Sequence, residues 1–235
     1  MKSFPTLCAA LALALALATG ASQAADRRES REVAGFSSVS LAAPVDVDIV
    51  QGDREGLVLE GDEADLARIE TVVEGGSLKI RTRERHWGSW SKLRGHLAVR
   101  DLHALGISGS GDIKAAQLRS GDFEISISGS GDVAIGTLAA DRLRVSIAGS
   151  GDVNVAGKVD RTELSIAGSG DVNAKRLEAR EAKISITGAG DATVWAHENV
   201  EVSILGSGDV RYYGDPKVAK RVFGAGSVER LAATP

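Results

Sequence analysis

The sequence predicts an all-β fold: a single-stranded parallel β-helix, which is a solenoid of about 18–20 residues per coil. We expect it to be right-handed and to carry a non-repeating N-terminal cap. The first observation behind this prediction is a Gly-Ser/Ala-Gly-Asp tetrad that occurs six times. Self-similarity at a fixed period of this length is typical of solenoids, in which each repeat buries its apolar face only by stacking on its neighbours. The tetrads begin at Gly109, Gly129, Gly149, Gly168, Gly188 and Gly206.

Alternation of apolar and small polar residues before each tetrad is the second observation. The run Ile125-Ser-Ile127 and its copies have a period of two, which indicates a strand with one buried face. A second short strand follows each tetrad, as in Val133-Ala-Ile135, and residues such as Leu138 supply a third apolar contact. The third observation is an aromatic content of 4%, which suits a narrow solenoid core better than a sandwich.

The tetrad itself has two interpretations. Two glycines separated by one residue allow positive φ and a sharp corner, and the aspartate can accept backbone N–H hydrogen bonds as in an Asx turn. We favour this structural role. The alternative is a ladder of structural calcium sites, but Ca²⁺ takes six to eight oxygen ligands and one carboxylate per coil is few. We therefore predict no cofactor and no metal site. The turn ladder consists of Asp112, Asp132, Asp152, Asp171, Asp191 and Asp209.

The chain divides into four predicted segments. Residues 1–25 combine a positive start, a short apolar run and small residues near Ala24, which predicts a secretory signal peptide that is cleaved. Residues 26–104 are predicted to form N-terminal strands and the cap, 105–228 the β-helix repeat region, and 229–235 a C-terminal tail. We therefore expect an exported protein, in the periplasm or on the cell surface. Cys8 is the only cysteine, so the processed chain contains no disulfide.

Within the cap, three segments have strand patterns. Val45–Val50 alternates strictly, and Leu57–Leu59 and Leu78–Thr82 are shorter examples. The segment Asp62–Ile69 predicts a short helix with Asp62 as its N-cap and acidic residues in its first turn. A cap is expected because exposed terminal coils would otherwise promote aggregation.

Several of these segments resemble a known bacterial family. The segments Phe36-x-x-Val39, Val45–Gly52, Leu78-Lys-Ile80 and Asp101–Asp112 are similar to the "putative auto-transporter adhesin, head GIN domain" family. The resemblance covers about residues 33–228. It implies a secreted or surface-associated bacterial protein with a β-helix, and it supplies no catalytic residues.

One segment does not look like scaffold. Residues 79–100 contain seven Lys and Arg residues and one acid, a local charge of +6 in a chain of net charge −4. Its tryptophans either cover an open end of the core, or join the cations in a binding site. In such a site Trp offers a flat face and Arg a fork for phosphate or carboxylate. The candidate ligand-binding residues are Arg83, Arg85, Trp87, Trp90, Lys92 and Arg94.

The function predicted from these features is a non-enzymatic, secreted or cell-envelope protein that presents a rigid, adhesin-like binding surface. Its partner would be an anionic glycan, a lipid headgroup or an envelope protein. The alternatives are a structural or assembly module without a ligand, which would stack through its solenoid ends, and a polysaccharide-active enzyme. Catalysis needs a unique constellation, whereas the aspartate recurs in each coil. The acidic net charge gives no reason to expect nucleic acid, and no segment after the signal peptide predicts a membrane helix.

Overall fold

A computed structural model describes residues 27–84 and 89–232. The predicted signal peptide, residues 1–25, therefore lies outside the described residues. The N-terminal region contains β1 (Arg27–Arg31), β2 (Ser38–Ala42), β3 (Val45–Gln51), β4 (Gly56–Gly61), α1 (Glu63–Leu66), β5 (Ile69–Glu74), β6 (Ser77–Thr82) and β7 (Leu93–Val99). The following region contains β8 (Ala104–Ile107), β9 (Ile113–Arg119), β10 (Asp122–Ile127), β11 (Val133–Gly149), β12 (Val153–Gly168), β13 (Val172–Gly188), β14 (Ala192–Gly206), β15 (Val210–Tyr213), β16 (Lys217–Gly224) and β17 (Val228–Arg230).

Residues 104–230 form a β-solenoid of about six turns, which confirms the predicted fold class. Successive coils pair in parallel, and equivalent residues lie in register from coil to coil. Val145 of β11 faces Leu164 of β12, which faces Ile184 of β13. The strands β11 to β14 are 15 to 17 residues long because each one continues around a corner of its coil. Handedness stays a prediction.

The apolar rows of the solenoid form one continuous core. Val145, Leu164 and Ile184 are at most 1% exposed, whereas Ser165 and Ser185, which directly follow Leu164 and Ile184, face outward. Each fully buried aliphatic side chain contributes about 1.5–3 kcal/mol to the free energy of folding. Because side chains alternate between the two faces of a strand, a one-residue slip between coils would expose the whole row.

The N-terminal region forms a nearly closed mixed sheet that continues the solenoid. The strands β2 and β3 pair in parallel with β8 and β9 of the solenoid on one side and with β6 and β7 on the other. Beyond them the direction reverses: β4 runs antiparallel to β7, β1 to β4 and β5 to β6. The antiparallel strands interrupt the parallel stack at this end, so the solenoid does not end in an open edge onto which a further coil could pair.

The predicted strands and helix of this region are present, with two differences. The helix α1 is a single turn that ends at Leu66, and its N-cap Asp62 accepts hydrogen bonds from the backbone N–H groups of Ala64 and Asp65. The chain then enters β5 at Ile69, where the prediction still placed helix. The sequence patterns also did not single out β1, β2 or β7, and β7 occupies Leu93–Val99 within the basic segment 79–100.

The glycine corner is built for close backbone contact. Gly168, the first glycine of its tetrad, has φ of +139°, whereas Gly170, the second, does not have a positive φ in this range. A Cβ on Gly170 would overlap the carbonyl oxygen of Gly151 in the preceding coil and would lie 3.0 Å from Ile147 Cγ2. Positive φ therefore explains only the first glycine here, and the second is required because there is no room for a side chain.

We predict that Gly170→Ala lowers the free energy of unfolding by roughly 1–3 kcal/mol, because the new methyl group forces two coils apart. Ser169→Ala is the matched control, since Ser169 is exposed in the same corner and should change stability by less than about 0.5 kcal/mol. Urea unfolding followed by circular dichroism measures both. Equal midpoints for the two variants would contradict the steric explanation.

Candidate functional site

The strand β3 lies where the cap meets the solenoid, and it brings three strands together. Asp48 of β3 is in register with His96 of β7 on one side and with Lys114 of β9 on the other. Buried Val47 and Ile49 on either side of Asp48 direct the alternate side chains outward. Polar side chains that are distant in sequence therefore share one outer surface at this junction.

A cleft of about 270 Å³ opens on that surface, and we call it the junction cleft. Its cations come from the approach to β7, from β7 itself and from β9, and its carboxylates come from β3 and from the first tetrad. The lining residues are Asp46, Val47, Asp48, Lys92, Arg94, His96, Asp112 and Lys114.

The cations of the junction cleft are available for a ligand. Lys92, Arg94 and Lys114 form no ion pair within 4 Å among the described residues. His96 lies between two acids, with Nδ1 3.9 Å from Asp48 and Nε2 3.7 Å from Glu60. Lys and Arg donate charge-assisted hydrogen bonds to phosphate or carboxylate, whereas Asp accepts hydrogen bonds from hydroxyl groups. The cleft thus offers both kinds of partner to one ligand.

Asp65 fixes the position of the backbone that precedes Lys92, a residue of the junction cleft. The backbone N–H of Ser91 donates to Asp65 Oδ2 at 2.8 Å, and Arg68 pairs with Asp65 Oδ1 at 3.0 Å. Burial raises the pKa of the Asp65 carboxyl, but the hydrogen bonds from Ser91 and the charge of Arg68 outweigh it and hold the pKa below 3.8. Asp65 is therefore a positioning residue for the segment that leads to Lys92.

The structure describes four of the six predicted binding residues. Lys92 and Arg94 line the junction cleft, and Arg83 lies just beyond β6, where its backbone N–H donates to the Arg68 carbonyl. Trp90 is half-buried and packs against the hydrophobic core. Arg85 and Trp87 lie outside the described residues.

The local charge of +6 does not become a positive surface of that strength. Acids on neighbouring strands pair with the cations of the segment: Lys79 Nζ lies 2.7 Å from Glu74 and Arg81 Nε 2.8 Å from Glu70. Arg100 also pairs with an acid, Glu55, at 3.4 Å. Sequence distance hides these partners, because strand pairing brings them into contact.

Sequence reasoning missed five polar residues of the cleft. The strict alternation in β3 does place Asp46 and Asp48 on the outer face, so that signal was present in the sequence. No local signal indicates that Lys114 and Asp112 lie beside them, because this depends on the register between β3 and β9. His96 lies in β7, a strand that the sequence did not predict.

The repeated aspartates hold successive coils together. Asp152 Oδ1 accepts a hydrogen bond of 2.9 Å from the backbone N–H of Asp171, the equivalent residue one coil further. The same bond recurs from the aspartate at 112 to the one at 191, at 2.8–3.0 Å. The acceptor therefore reaches the next coil, whereas an Asx turn would have kept it within one turn. In the last copy Ser227 donates from Oγ and from its backbone N–H, and both bonds lower the pKa of Asp209.

A second cleft, of about 350 Å³, lies on the outer face of β11 to β14. Several of its charged side chains already form ion pairs with each other between coils. Arg161 pairs with Glu181 at 2.9 Å and Arg144 with Glu163 at 3.5 Å. Within residues 27–84 and 89–232, no three His, Cys, Asp or Glu side chains are grouped as a metal site. In the same part of the chain, no helix is long and apolar enough to cross a membrane.

Comparison with known proteins relates this chain to one family. A family model described as "Putative auto-transporter adhesin, head GIN domain" matches residues 35–216, which confirms the resemblance found in the sequence. No curated protein matches the chain.

Solved structures share the fold over nearly the whole described chain. A putative adhesin from Bacteroides fragilis has a TM-score of 0.84 at 23% identity, covering 88% of this chain and 97% of that one. A putative lipid binding protein from Parabacteroides distasonis has a TM-score of 0.71 at 25% identity, covering 88% and 96%. A putative adhesin from Parabacteroides merdae has a TM-score of 0.70 at 19% identity, with the same coverage.

We predict that Asp152→Ala lowers the free energy of unfolding by about 1 kcal/mol, because the backbone N–H of Asp171 loses its acceptor. Asp152→Asn should cost less, since its amide oxygen still accepts that bond. Urea unfolding of both variants provides the measurement. An Asn variant as unstable as the Ala variant would show that the charge, and not the acceptor, matters.

We also predict a pH-dependent change at Ser91. Folding lowers the pKa of Asp65, so the ionised carboxylate stabilises the folded state fully at pH values above its ordinary pKa of 3.8. This stabilisation is lost as the pH falls through the lowered pKa. Asp65→Ala, which removes the acceptor oxygens, should therefore increase hydrogen exchange of the Ser91 amide about tenfold already at neutral pH. Asp53→Ala, at an exposed acid without an ion pair in the described part of the chain, is the control. Unchanged Ser91 protection in the Asp65 variant would contradict the positioning role.

Proposed function

The chain belongs to the "putative auto-transporter adhesin, head GIN domain" family, and from this premise we propose that it is an exported, non-enzymatic binding protein of the bacterial cell envelope. Membership of an adhesin family supports export, as does the predicted signal peptide at residues 1–25. The solenoid then acts as a rigid support, and the binding surface lies at the junction cleft. We propose the same division into segments as the sequence predicts: 26–104, 105–228 and 229–235.

One observation carries this proposal: Lys92, Arg94 and Lys114 lie in one cleft without ion pairs among the described residues, and carboxylates line the same cleft. A purely anionic ligand would use the cations and be repelled by the acids. A glycan with carboxylate or phosphate groups satisfies both sets, because its hydroxyl groups donate hydrogen bonds to aspartates. We therefore propose an anionic glycan of the envelope or of a host surface as the ligand.

The segment before β7 extends the proposed site. Trp90 packs against the core from the end of the segment that Asp65 holds, so the neighbouring backbone is anchored next to the cleft. Arg83 stands exposed at the other end of the same segment. Arg85 and Trp87, which lie between these anchored ends in sequence, are proposed to contribute a cation and a stacking surface to the same ligand.

A lipid headgroup is a second candidate source of the phosphate group that would bind in the junction cleft. The relative from Parabacteroides distasonis described as a putative lipid binding protein supports a lipid headgroup as the anionic group. A headgroup and a phosphorylated glycan offer the same phosphate to Arg94, but only the glycan offers a chain of hydroxyl groups to the aspartates. The two sources therefore differ in how strongly they depend on Asp46 and Asp48.

Two other functions are less well supported by the structure. An enzyme that acts on polysaccharides needs a unique catalytic constellation, whereas the recurring aspartates each accept a structural hydrogen bond from the next coil. A purely structural module explains the solenoid but leaves the unpaired cations of the junction cleft without a role.

We predict that Lys92→Gln/Arg94→Gln/Lys114→Gln weakens binding to an anionic polysaccharide at least tenfold, since each lost charge-assisted hydrogen bond contributes about 1.5–3 kcal/mol. A panel of uronate-containing, phosphorylated and neutral polysaccharides, together with soluble glycerol phosphate, supplies the ligands for calorimetry. Asp46→Ala/Asp48→Ala, which removes the hydroxyl acceptors, should weaken binding to the polysaccharide but not to glycerol phosphate, which the acids repel.

Lys158→Gln/Lys175→Gln/Arg176→Gln is the matched control. It removes three exposed cations without ion pairs in the described structure, away from the cleft, so the net charge changes equally. Equal losses in the two triple variants would mean that only net charge matters. Absence of binding by the wild-type protein to every member of the panel would refute the proposed function and favour the structural module.

A further inference from the structure

The two coils at the C-terminal end expose large apolar side chains. Phe223 of β16 and Leu205 of β14 are 66% and 59% exposed, and they are in register on neighbouring strands. The equivalent positions of the three preceding coils hold Ala148, Ala167 and Thr187. The row therefore changes from small to large apolar residues only at the C-terminal end. Such adjacent exposed side chains on an otherwise polar surface indicate an interaction site.

Cations precede Phe223 of this apolar pair along the same strand. The strand β16 carries Lys217, Lys220 and Arg221, and none of them has an ion-pair partner among the described residues. Lys220 is in register with buried Val202, so it occupies a core position at the open end of the solenoid. Val218, on the same inward face, is 37% exposed. We call Leu205, Phe223 and the cations of β16 the terminal patch.

A second copy of the chain fits the terminal patch poorly. If two β16 strands pair antiparallel with their inward faces matched, the central registers oppose Lys220 with Lys220, Arg221 with Arg221, or Arg221 with Lys217. Like charges directly opposite each other destabilise a strand pair. The end is also uneven, because β17 adds one further strand to β15 while β16 remains an edge. Charges on an edge strand are a known protection against edge-to-edge association.

We propose that the terminal patch docks the solenoid onto the surface of an anionic lipid bilayer. Phe223 and Leu205 enter the interfacial region, and Lys217, Lys220 and Arg221 contact the headgroup phosphates. Aromatic and aliphatic residues flanked by Lys and Arg are the composition that binds to such surfaces. Long basic side chains also keep their charge at the headgroups while their stems cover apolar surface.

The repeated aspartates set the orientation. They form an exposed or half-exposed acidic row along the flank of the solenoid, which an anionic bilayer repels. At its end Arg211 compensates this row by lying 3.5 Å from Asp191 and 3.6 Å from Asp209. Other acids near the patch are Glu201 on the neighbouring strand and Glu229 on β17, together with Glu198 and Asp215, which pair with Arg180 and Arg230. The membrane therefore meets the outer face of the last two coils at the C-terminal end, and the junction cleft stands several coil spacings of about 4.8 Å away from it.

Vesicle co-sedimentation tests this inference on residues 26–235, which contain every described strand. The predicted signal peptide is omitted because its apolar run would itself enter membranes. Vesicles of phosphatidylcholine alone are compared with vesicles that contain about one third phosphatidylglycerol, at low and high salt. We expect binding only to the anionic vesicles and weaker binding at high salt, because the salt screens the charges.

Two variants locate the contact. Leu205→Ser/Phe223→Ser removes the apolar pair, and Lys217→Gln/Lys220→Gln/Arg221→Gln removes the cations; each should lower partitioning about tenfold or more. All four outward substitutions and the one at Lys220 lie at exposed positions, so melting temperatures should stay close to that of the wild type. Phe223→Trp gives an independent readout, with a blue-shifted emission on anionic vesicles if the residue inserts.

Two controls separate this inference from the proposed function. The triple Gln variant of the junction cleft and the triple Gln variant at residues 158, 175 and 176 should both keep vesicle binding. Loss of vesicle binding in the cleft variant, with retention in the terminal-patch variants, would overturn the inference and assign the lipid contact to the cleft. No binding of the wild-type protein to anionic vesicles would overturn it as well, whatever the glycan measurements show.

Discussion

Successive coils meet backbone to backbone at the glycine corner, and this contact sets the register of the whole solenoid. The backbone N–H of Ser150 donates to the carbonyl of Gly129 in the preceding coil at 3.0 Å, and Ala189 repeats the bond to Gly168 at 2.9 Å. A Cβ on Gly149 would overlap the carbonyl oxygen of Gly129 and would force the two coils apart. Because each corner is fixed on the one before it, the apolar side chains of every coil fall into continuous rows, and the core follows from the corner.

The same constraint decides where function can arise. A residue that recurs in each coil has the same neighbours in each coil, and the aspartates show the result, since each one is occupied by a backbone N–H of the next. Distinct chemistry needs a position where the repeat stops. The described chain has two such places: the junction with the cap, where β3 receives strands of different origin on its two sides, and the final coil, where β16 has a neighbour on one side only.

Much of this architecture follows from the sequence, because period and alternation are local. The tetrads and the rows exemplified by Val145 and Leu164 predict the solenoid, its parallel register and its core. Of the residues that line the junction cleft, only Lys92 and Arg94 stand out in sequence as candidate binding residues, whereas Lys114 and Asp48 become their neighbours through strand pairing. The distribution of charge was the least predictable property, since the ion pairs that neutralise the basic segment form between β5 and β6, or between residues next to β4 and β7, and only strand pairing brings these residues together.

Ion pairs between coils neutralise several of the cations on the flank of the solenoid. Inside the solenoid, an arginine finds its acid about one coil away, as Arg161 finds Glu181 and Arg180 finds Glu198. The last coil has a neighbouring coil on one side only. Arg230 pairs there with Asp215 of its own coil, whereas Lys217 and Arg221 have no ion-pair partner in the described structure. A ligand that supplies anions gains most where stacking cannot supply them. The two ends of a charged solenoid are therefore physically distinct from its flank, even when its coils are nearly identical.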